Sequence, residues 1–162
     1  METIGIFIDN SNFISDFREN AEYKADYKKF IEFFSAGRTL THQRIYLPKS
    51  ESDGFGSFCY LLKKLFFKII TKELKKIPDG RNKCNFDVEI AVDIMDIIAE
   101  RNLPDVVVLV SGDSDFCYLI ERIKKEGSRV IVVGSYLSVS VESKAAADSY
   151  IFTENISDEI SL

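Results

Sequence analysis

Residues Val106–Phe116 read VVVLVSGDSDF, and this stretch decides the fold. An unbroken run of mostly β-branched apolar residues is typical of a strand that is buried on both faces, as in a parallel sheet. The run ends at a Ser-Gly pair, which permits a sharp turn, and a helical pattern begins directly afterwards. Asp113 and Asp115 are therefore predicted at the carboxyl end of a strand, which is where open α/β sheets bind ligands.

Strands and helices alternate along the rest of the chain, which predicts a parallel sheet with helices on both faces. We find no repeats and no internal linker, and we expect one α/β domain over residues 1–162 with about five strands. The predicted strands are Thr3–Ile8, Arg44–Leu47, Phe67–Leu74, Val106–Val110 and Arg129–Val133, with a further short one at Ser149–Thr153. The predicted helices are Ile14–Gly37, with an irregular segment around Arg18–Lys24 as an alternative for its first part, Phe58–Leu65, Phe86–Glu100, Phe116–Glu126 and the second half of Ser135–Ala147. Lys49–Gly56 is predicted to be a polar loop and Pro78-Asp79-Gly80 a turn.

The composition is that of an ordinary globular protein, with 162 residues, 46% hydrophobic residues and a net charge of −5. Such a charge excludes a polycation that coats nucleic acid indiscriminately. Eight basic residues against two acids nevertheless fall between Leu61 and Lys83. This basic stretch suits either the backbone of a polyanion or a solvated helix face, and the sequence favours neither.

The cysteines and the first residues indicate a cytoplasmic protein. Cys59, Cys84 and Cys117 are odd in number and far apart, so we expect reduced thiols. The opening METIGIFIDN lacks the basic segment of a signal peptide, and no apolar run approaches the length needed to span a membrane. We therefore expect no membrane association.

Four aspartates are predicted to meet at one edge of the sheet. Asp9 ends the first strand as Asp113 follows the central one, and right-handed crossovers place both strand ends on the same edge. Asp87 opens the helix that precedes the central strand, and Asp115 lies two residues after Asp113. A helix cap would explain one aspartate, but carboxylates gathered together repel each other unless a cation lies between them. Hard oxygen ligands suit Mg²⁺ or Mn²⁺ rather than Zn²⁺, since His42 is the only histidine.

Other polar residues around this edge have two interpretations each. Asp93 interrupts an apolar helical stripe, so it either faces the metal site or makes a structural pair. Short side chains near the aspartates could donate hydrogen bonds to carboxylates, water or phosphate, or could form turns and caps. These short side chains belong to Asn10, Asn12, Ser111 and Ser114.

Four segments together resemble the NYN domains, the LabA-like branch of the PIN-like nucleases. They are FIDNSNF (Phe7–Phe13), Lys83 with FDVEIAVDIM (Phe86–Met95), VLVSGDSDF (Val108–Phe116) and AADSYIF (Ala146–Phe152). The resemblance implies a three-layer α/β/α, Rossmann-like sandwich with an acidic pocket like that of metal-dependent ribonucleases. It implies an acidic site of Asp9, Asp87, Asp113 and Asp115, with Asp93 as a further metal ligand. Asn12 and Ser111 match polar positions around the pocket, Lys83 would lie beside it, and Asp148 matches an aspartate with a structural role.

Three functional hypotheses follow. The first is an Mg²⁺- or Mn²⁺-dependent endoribonuclease that hydrolyses RNA phosphodiester bonds. The alternative is a non-catalytic RNA-binding or regulatory module that retains the acidic pocket. The third is a phosphatase or phosphotransferase that uses an aspartate as nucleophile. A dinucleotide site is disfavoured because no G-x-G-x-x-G follows the first strand. Whether aromatic residues of the first long helix form core or the face of a homodimer stays open.

Overall fold

The computed structural model describes residues 1–18, 24–76 and 82–162. The strands are β1 (Thr3–Asp9), β2 (Thr39–Pro48), β3 (Lys68–Lys72), β4 (Lys75–Lys76), β5 (Asn82–Lys83), β6 (Val106–Val110), β7 (Arg129–Gly134) and β8 (Ser149–Phe152). The helices are α1 (Asn10–Arg18), α2 (Tyr27–Ser35), α3 (Asp53–Lys64), α4 (Asp87–Ala99), α5 (Cys117–Lys125), α6 (Val141–Ala146) and α7 (Ser157–Ile160). Short 3₁₀ turns cover Ser114–Phe116 and Thr153–Ile156.

The central sheet has six parallel strands in the order β3-β2-β1-β6-β7-β8. This confirms the predicted α/β fold; about five strands were expected, and the sixth is β8, at the place of the further short strand predicted at Ser149–Thr153. The topology reverses between β1 and β6, which are neighbours in the sheet although β2–β5 lie between them in the sequence. Such a switch point opens a crevice beyond the carboxyl ends of the two strands. Asp9 ends β1, and Ser111-Gly112-Asp113 follows β6, so both aspartates lie at this crevice.

The two central strands are buried on both faces, as their apolar runs predict. Ile4, Ile6 and Ile8 of β1 point into one core, which helices α1, α2, α3 and α7 complete. Phe7 points the opposite way, into a second core formed with α4, α5 and α6. Every residue of β6 is buried, and its side chains alternate between the same two cores. The result is a three-layer α/β/α sandwich.

The polar and aromatic segments differ most from the sequence-based expectations. Helix α1 ends at Arg18, where the sequence allows an irregular segment to begin, so the region Ile14–Gly37 contains two helices. Helix α2 has its own N-cap, where Asp26 accepts hydrogen bonds from the backbone of the next turn. Strand β2 begins five residues before Arg44, and the predicted loop Lys49–Gly56 contains the start of α3. The turn predicted at residues 78–80 lies outside the described residues.

The aromatic residues of α2 are mainly core. Phe30 and Phe34 are buried, and only the intervening Phe33 reaches the surface of this helix. Of the two possibilities left open for these rings, core or homodimer face, their burial favours the core, and a single exposed ring on α2 does not make a dimer face. Over the residues that the structure describes, no helix combines the length and the apolar character needed to cross a membrane.

Candidate metal centre

Three aspartates converge at the crevice between β1 and β6. Asp87 is the first residue of α4, and Asp113 caps the 3₁₀ turn that contains Asp115. The Asp113 carboxylate accepts a hydrogen bond of 2.9 Å from the backbone N–H of Asp115, which fixes its orientation. One carboxylate oxygen from each residue lies within 4.8 Å of the other two. Three of the four aspartates that the sequence predicts at this edge therefore have carboxylate oxygens close enough together to share one cation.

Asp9 lies beneath these three carboxylates at the end of β1. Its side chain is only 6% exposed and accepts hydrogen bonds from the backbone N–H of Ser11 (3.0 Å) and the amide of Asn12 (3.1 Å). Burial raises the pKa of Asp9 to about 6, and the negative charges of Asp87 and Asp113 add to this effect. Asp9 is therefore within electrostatic reach of the cluster, although it does not share the 4.8 Å spacing.

Asn12 and Ser111 connect the two strand ends. The Asn12 side-chain amide donates to the Asp9 carboxylate and, over 2.9 Å, to the hydroxyl of Ser111. Ser111 is 1% exposed and accepts a hydrogen bond from the backbone N–H of Asp113. These two residues hold Asp9 and Asp113 in register, as their predicted place around the pocket suggests.

Asn10 and Ser114 do not share this arrangement. The buried Asn10 side chain accepts a hydrogen bond from the Tyr27 hydroxyl, in the core between α1 and α2. Ser114 is exposed at the first position of the 3₁₀ turn. The Lys83 side chain lies outside the described part of the structure, so its predicted place beside the pocket stays a prediction.

The structure does not bring Asp93 into the cluster. The Asp93 carboxylate forms a 2.8 Å ion pair with Arg44 and accepts a 2.7 Å hydrogen bond from the Tyr46 hydroxyl. Both partners belong to β2, so Asp93 ties α4 to the sheet. Of its two predicted roles, the contacts favour the structural pair over the metal ligand. Asp148 also makes a structural contact, because its carboxylate accepts a hydrogen bond of 2.8 Å from the backbone N–H of Val130.

The charge of the cluster is not balanced by the described part of the protein. None of the lysine and arginine side chains that the structure describes forms an ion pair with Asp9, Asp87, Asp113 or Asp115. Lys72 is the basic residue whose charge lowers the pKa of Asp87, but its amine is bound to Glu89 at 2.7 and 2.8 Å. Burial, followed by the charges of Asp113 and Asp115, keeps the pKa of Asp87 above its ordinary value.

The donor set fits a hard divalent cation. Three carboxylate oxygens at this spacing can surround one ion and leave room for water, which is how proteins hold Mg²⁺ and Mn²⁺. The only histidine in the sequence, His42, contacts Thr41 and Asn102, so it does not supply a nitrogen ligand at the cluster. Zn²⁺ therefore remains disfavoured, as the sequence predicts.

Gly112 is required by a close approach of another segment, in addition to the sharp turn that the sequence predicts there. The backbone there does not adopt a positive φ angle; among the glycines of the described ranges, Gly37 and Gly127 do, just after α2 and α5. A Cβ atom at Gly112 would instead lie 2.1 Å from the carbonyl oxygen of Ser138. Glycine is needed because the loop after β7 passes directly over the Asp113 turn, and no local signal in the sequence reveals that approach.

The chain belongs to the NYN domain family, whose sequence profile matches residues 3–157. It is 27% identical to the low amplitude and bright protein LabA of Synechococcus elongatus, over 94% of this chain and 84% of that protein. It is also similar to a crystal structure of a protein of unknown function from Vibrio parahaemolyticus. That likeness has a TM-score of 0.84 and 28% identity, covering 99% of this chain and 96% of the other. The family and the acidic cluster are those of a PIN-like, nuclease-type protein.

Proposed function

We propose that this protein is an Mg²⁺- or Mn²⁺-dependent endoribonuclease that hydrolyses RNA phosphodiester bonds at the crevice between β1 and β6. The observation that carries the proposal is the convergence of Asp87, Asp113 and Asp115 within 4.8 Å, without a described cationic side chain to neutralise them. Such a cluster is costly unless it binds a cation, because the like charges repel one another. Membership of a PIN-like family supports the choice of RNA as substrate.

Asp87, Asp113 and Asp115 would hold the cation. When bound, Mg²⁺ or Mn²⁺ supplies electrostatic stabilisation of a phosphoryl group and lowers the pKa of water. Asp9 would add a fourth negative charge near the cation. A bound cation would in turn lower the pKa of Asp9 from its raised value of about 6. Asn12 would keep the Asp9 carboxylate oriented, through its amide and its contact with Ser111.

Basic residues at the end of β3 support binding of a polyanion. Lys72 lies at the carboxyl end of that strand, with its amine 4.8 Å from the centre of the Phe86 ring and paired with Glu89. The Lys72 charge acts on Asp87, whose pKa it lowers, and we propose that it also attracts the RNA backbone near the site. Lys83 belongs to the same basic stretch and is proposed for the same role from the sequence alone.

The test is cleavage of a mixed-sequence single-stranded RNA by purified protein with Mn²⁺ or Mg²⁺, compared with EDTA. Asp113→Asn should abolish cleavage. Asp96→Asn serves as the matched control, because Asp96 is an exposed carboxylate of α4 outside the cluster. Equal cleavage by the wild type and Asp113→Asn would mean a contaminating nuclease and would refute the proposal.

The non-catalytic module remains the alternative and predicts a different result. RNA would then bind to wild type and Asp113→Asn alike, and neither would cleave it. We further propose a cytoplasmic location, because all three cysteines are unpaired in the structure. Labelling of all three thiols in protein extracted without reductant would support that location.

A further inference from the structure

A cluster of aromatic rings lies at the same edge of the sheet as the carboxylates. The Tyr136 and Phe152 rings have centroids 4.2 Å apart, and Tyr150 meets Phe152 edge to face at 5.3 Å. The Lys144 amine lies 5.2 Å from the centre of the Phe152 ring and 5.9 Å from that of Tyr150. We call these four residues the aromatic platform.

The platform presents ring surface to solvent. Tyr136 is 53% exposed and Tyr150 is 46% exposed, while Phe152 beneath them is partly buried against the second core. Tyr136 is held in place by hydrogen bonds from its backbone N–H to Glu154 and from its hydroxyl to Asn155.

The fold places the platform beside the acidic cluster. Phe152 ends β8 and Tyr136 follows the end of β7, so both lie at the carboxyl edge where β6 delivers Asp113. Two strand spacings separate β8 from β6, which is about 10 Å. Helix α6, which carries Lys144, is also tied to the Asp113 turn, because the Ser143 hydroxyl donates to the Asp113 carbonyl oxygen at 3.0 Å.

We propose that the aromatic platform is a stacking subsite for unpaired bases of single-stranded RNA whose backbone crosses the acidic cluster. The inference rests on the proposed function, because it takes RNA as the substrate. Aromatic side chains stack on any base through its π-face, and a neighbouring cation adds to such contacts. Lys144 is available for this role, since it forms no ion pair with a carboxylate anywhere in the described ranges.

The charge around the platform favours bases over phosphates. Glu142 lies on the same helix as Lys144, and the Glu154 carboxylate accepts a hydrogen bond from the backbone N–H of Tyr136. The negative charges of these two glutamates would repel the phosphates of an RNA backbone placed directly against the platform. The platform should therefore contribute stacking, and Tyr150→Ala should weaken RNA binding with little change in its salt dependence.

The chain offers a matched control for the test. On α3, Tyr60 is 62% exposed and the Lys64 amine lies 5.3 Å from its ring, but that helix packs on the other face of the sheet. Binding of a short fluorescent single-stranded RNA is measured by anisotropy in Ca²⁺, and cleavage is measured in parallel in Mn²⁺. Tyr150→Ala should raise the Kd about 5- to 100-fold, whereas Tyr60→Ala should leave it unchanged. Tyr150→Phe should bind as the wild type does, which separates lost stacking from misfolding.

The outcomes separate this inference from the proposed function. If the wild type cleaves RNA and Tyr150→Ala binds it normally, the platform is not a base subsite although the ribonuclease stands. If Tyr150→Ala loses binding but the wild type never cleaves, the subsite stands and the ribonuclease proposal fails. Absence of RNA binding by the wild type overturns both. Loss of self-association in Tyr150→Ala, with RNA binding unchanged, would identify a protein interface instead and also overturn the inference.

Discussion

Replacing Asp9 with asparagine should stabilise the metal-free protein at neutral pH. The Asp9 carboxyl is 6% exposed, and its pKa is about 6 against an ordinary 3.8. A group whose pKa is raised by folding contributes stability that is complete below pH 3.8 and is lost as the pH rises through about 6. This difference of about two pKa units corresponds to about 3 kcal/mol. That is the largest increase in the free energy of unfolding that a neutral side chain at position 9 could bring.

The hydrogen bonds around residue 9 can accommodate the amide. An asparagine oxygen would still accept the backbone N–H of Ser11, and its NH₂ group would then meet the NH₂ group of Asn12. A flip of the Asn12 amide removes that conflict, because the Ser111 hydroxyl can donate as well as accept. We therefore expect a net gain of about 1–3 kcal/mol at pH 7.5.

Urea unfolding in EDTA at a series of pH values measures this difference. The stability of Asp9→Asn should exceed that of the wild type at pH 7.5, and the two should converge near pH 4. The Asp96→Asn control should follow the wild type at every pH. Excess Mn²⁺ should narrow the difference, because a cation held by Asp87, Asp113 and Asp115 would favour the ionised Asp9 of the wild type and bring no such benefit to an uncharged asparagine. A variant that is less stable than the wild type throughout the pH range would refute the reasoning.

Three further substitutions test the structure around the site, each by urea unfolding. Asp93→Asn should lower the free energy of unfolding by about 1–3 kcal/mol, because Arg44 is only 14% exposed and loses its charged partner, but Mn²⁺ binding should persist; loss of Mn²⁺ binding would make Asp93 a ligand after all. Gly112→Ala should cost about 3 kcal/mol or more, because its Cβ would lie 2.1 Å from the Ser138 carbonyl oxygen. Gly54→Ala, with nothing within 4 Å of its Cβ, is the matched control and should be neutral or slightly stabilising; equal effects of the two would contradict the close approach at Gly112. Tyr27→Phe should cost about 1–3 kcal/mol, because it leaves the buried Asn10 oxygen without its hydroxyl donor; an unchanged midpoint would mean that this hydrogen bond contributes no net stability.

The elements with a strong local pattern could be predicted from the sequence, and those that depend on distant contacts could not. Strand β6 is apolar on both faces, so its burial follows from its own residues. Strand β2 begins with a half-exposed polar segment, whose place in the sheet comes from pairing with β1 and not from its own pattern. The break between α1 and α2 lies beside the irregular segment that the sequence allows around Arg18–Lys24, and Asp26 is a local capping signal for the start of α2.

The site divides in the same way. The sequence predicts that Asp9 and Asp113 lie close together, because the carboxyl ends of parallel strands meet at one edge of the sheet. Asp93 could not be assigned, because its partner Arg44 is distant in the sequence and belongs to another strand. The aromatic platform also gave no local signal, since Tyr136 in the loop after β7, Lys144 on α6 and Tyr150 on β8 come together only in the fold.

A calorimetric titration of Mn²⁺ into the metal-free protein most directly tests whether the aspartate cluster is a cation site. The wild type and Asp96→Asn should bind with the same heat and affinity, and Asp113→Asn should bind far more weakly, because it removes one of three converging oxygens. Binding that is equal in all three proteins would place the cation elsewhere. Absence of binding to the wild type would contradict the assignment of the carboxylates to a metal, and the proposed hydrolysis of RNA would fall with it.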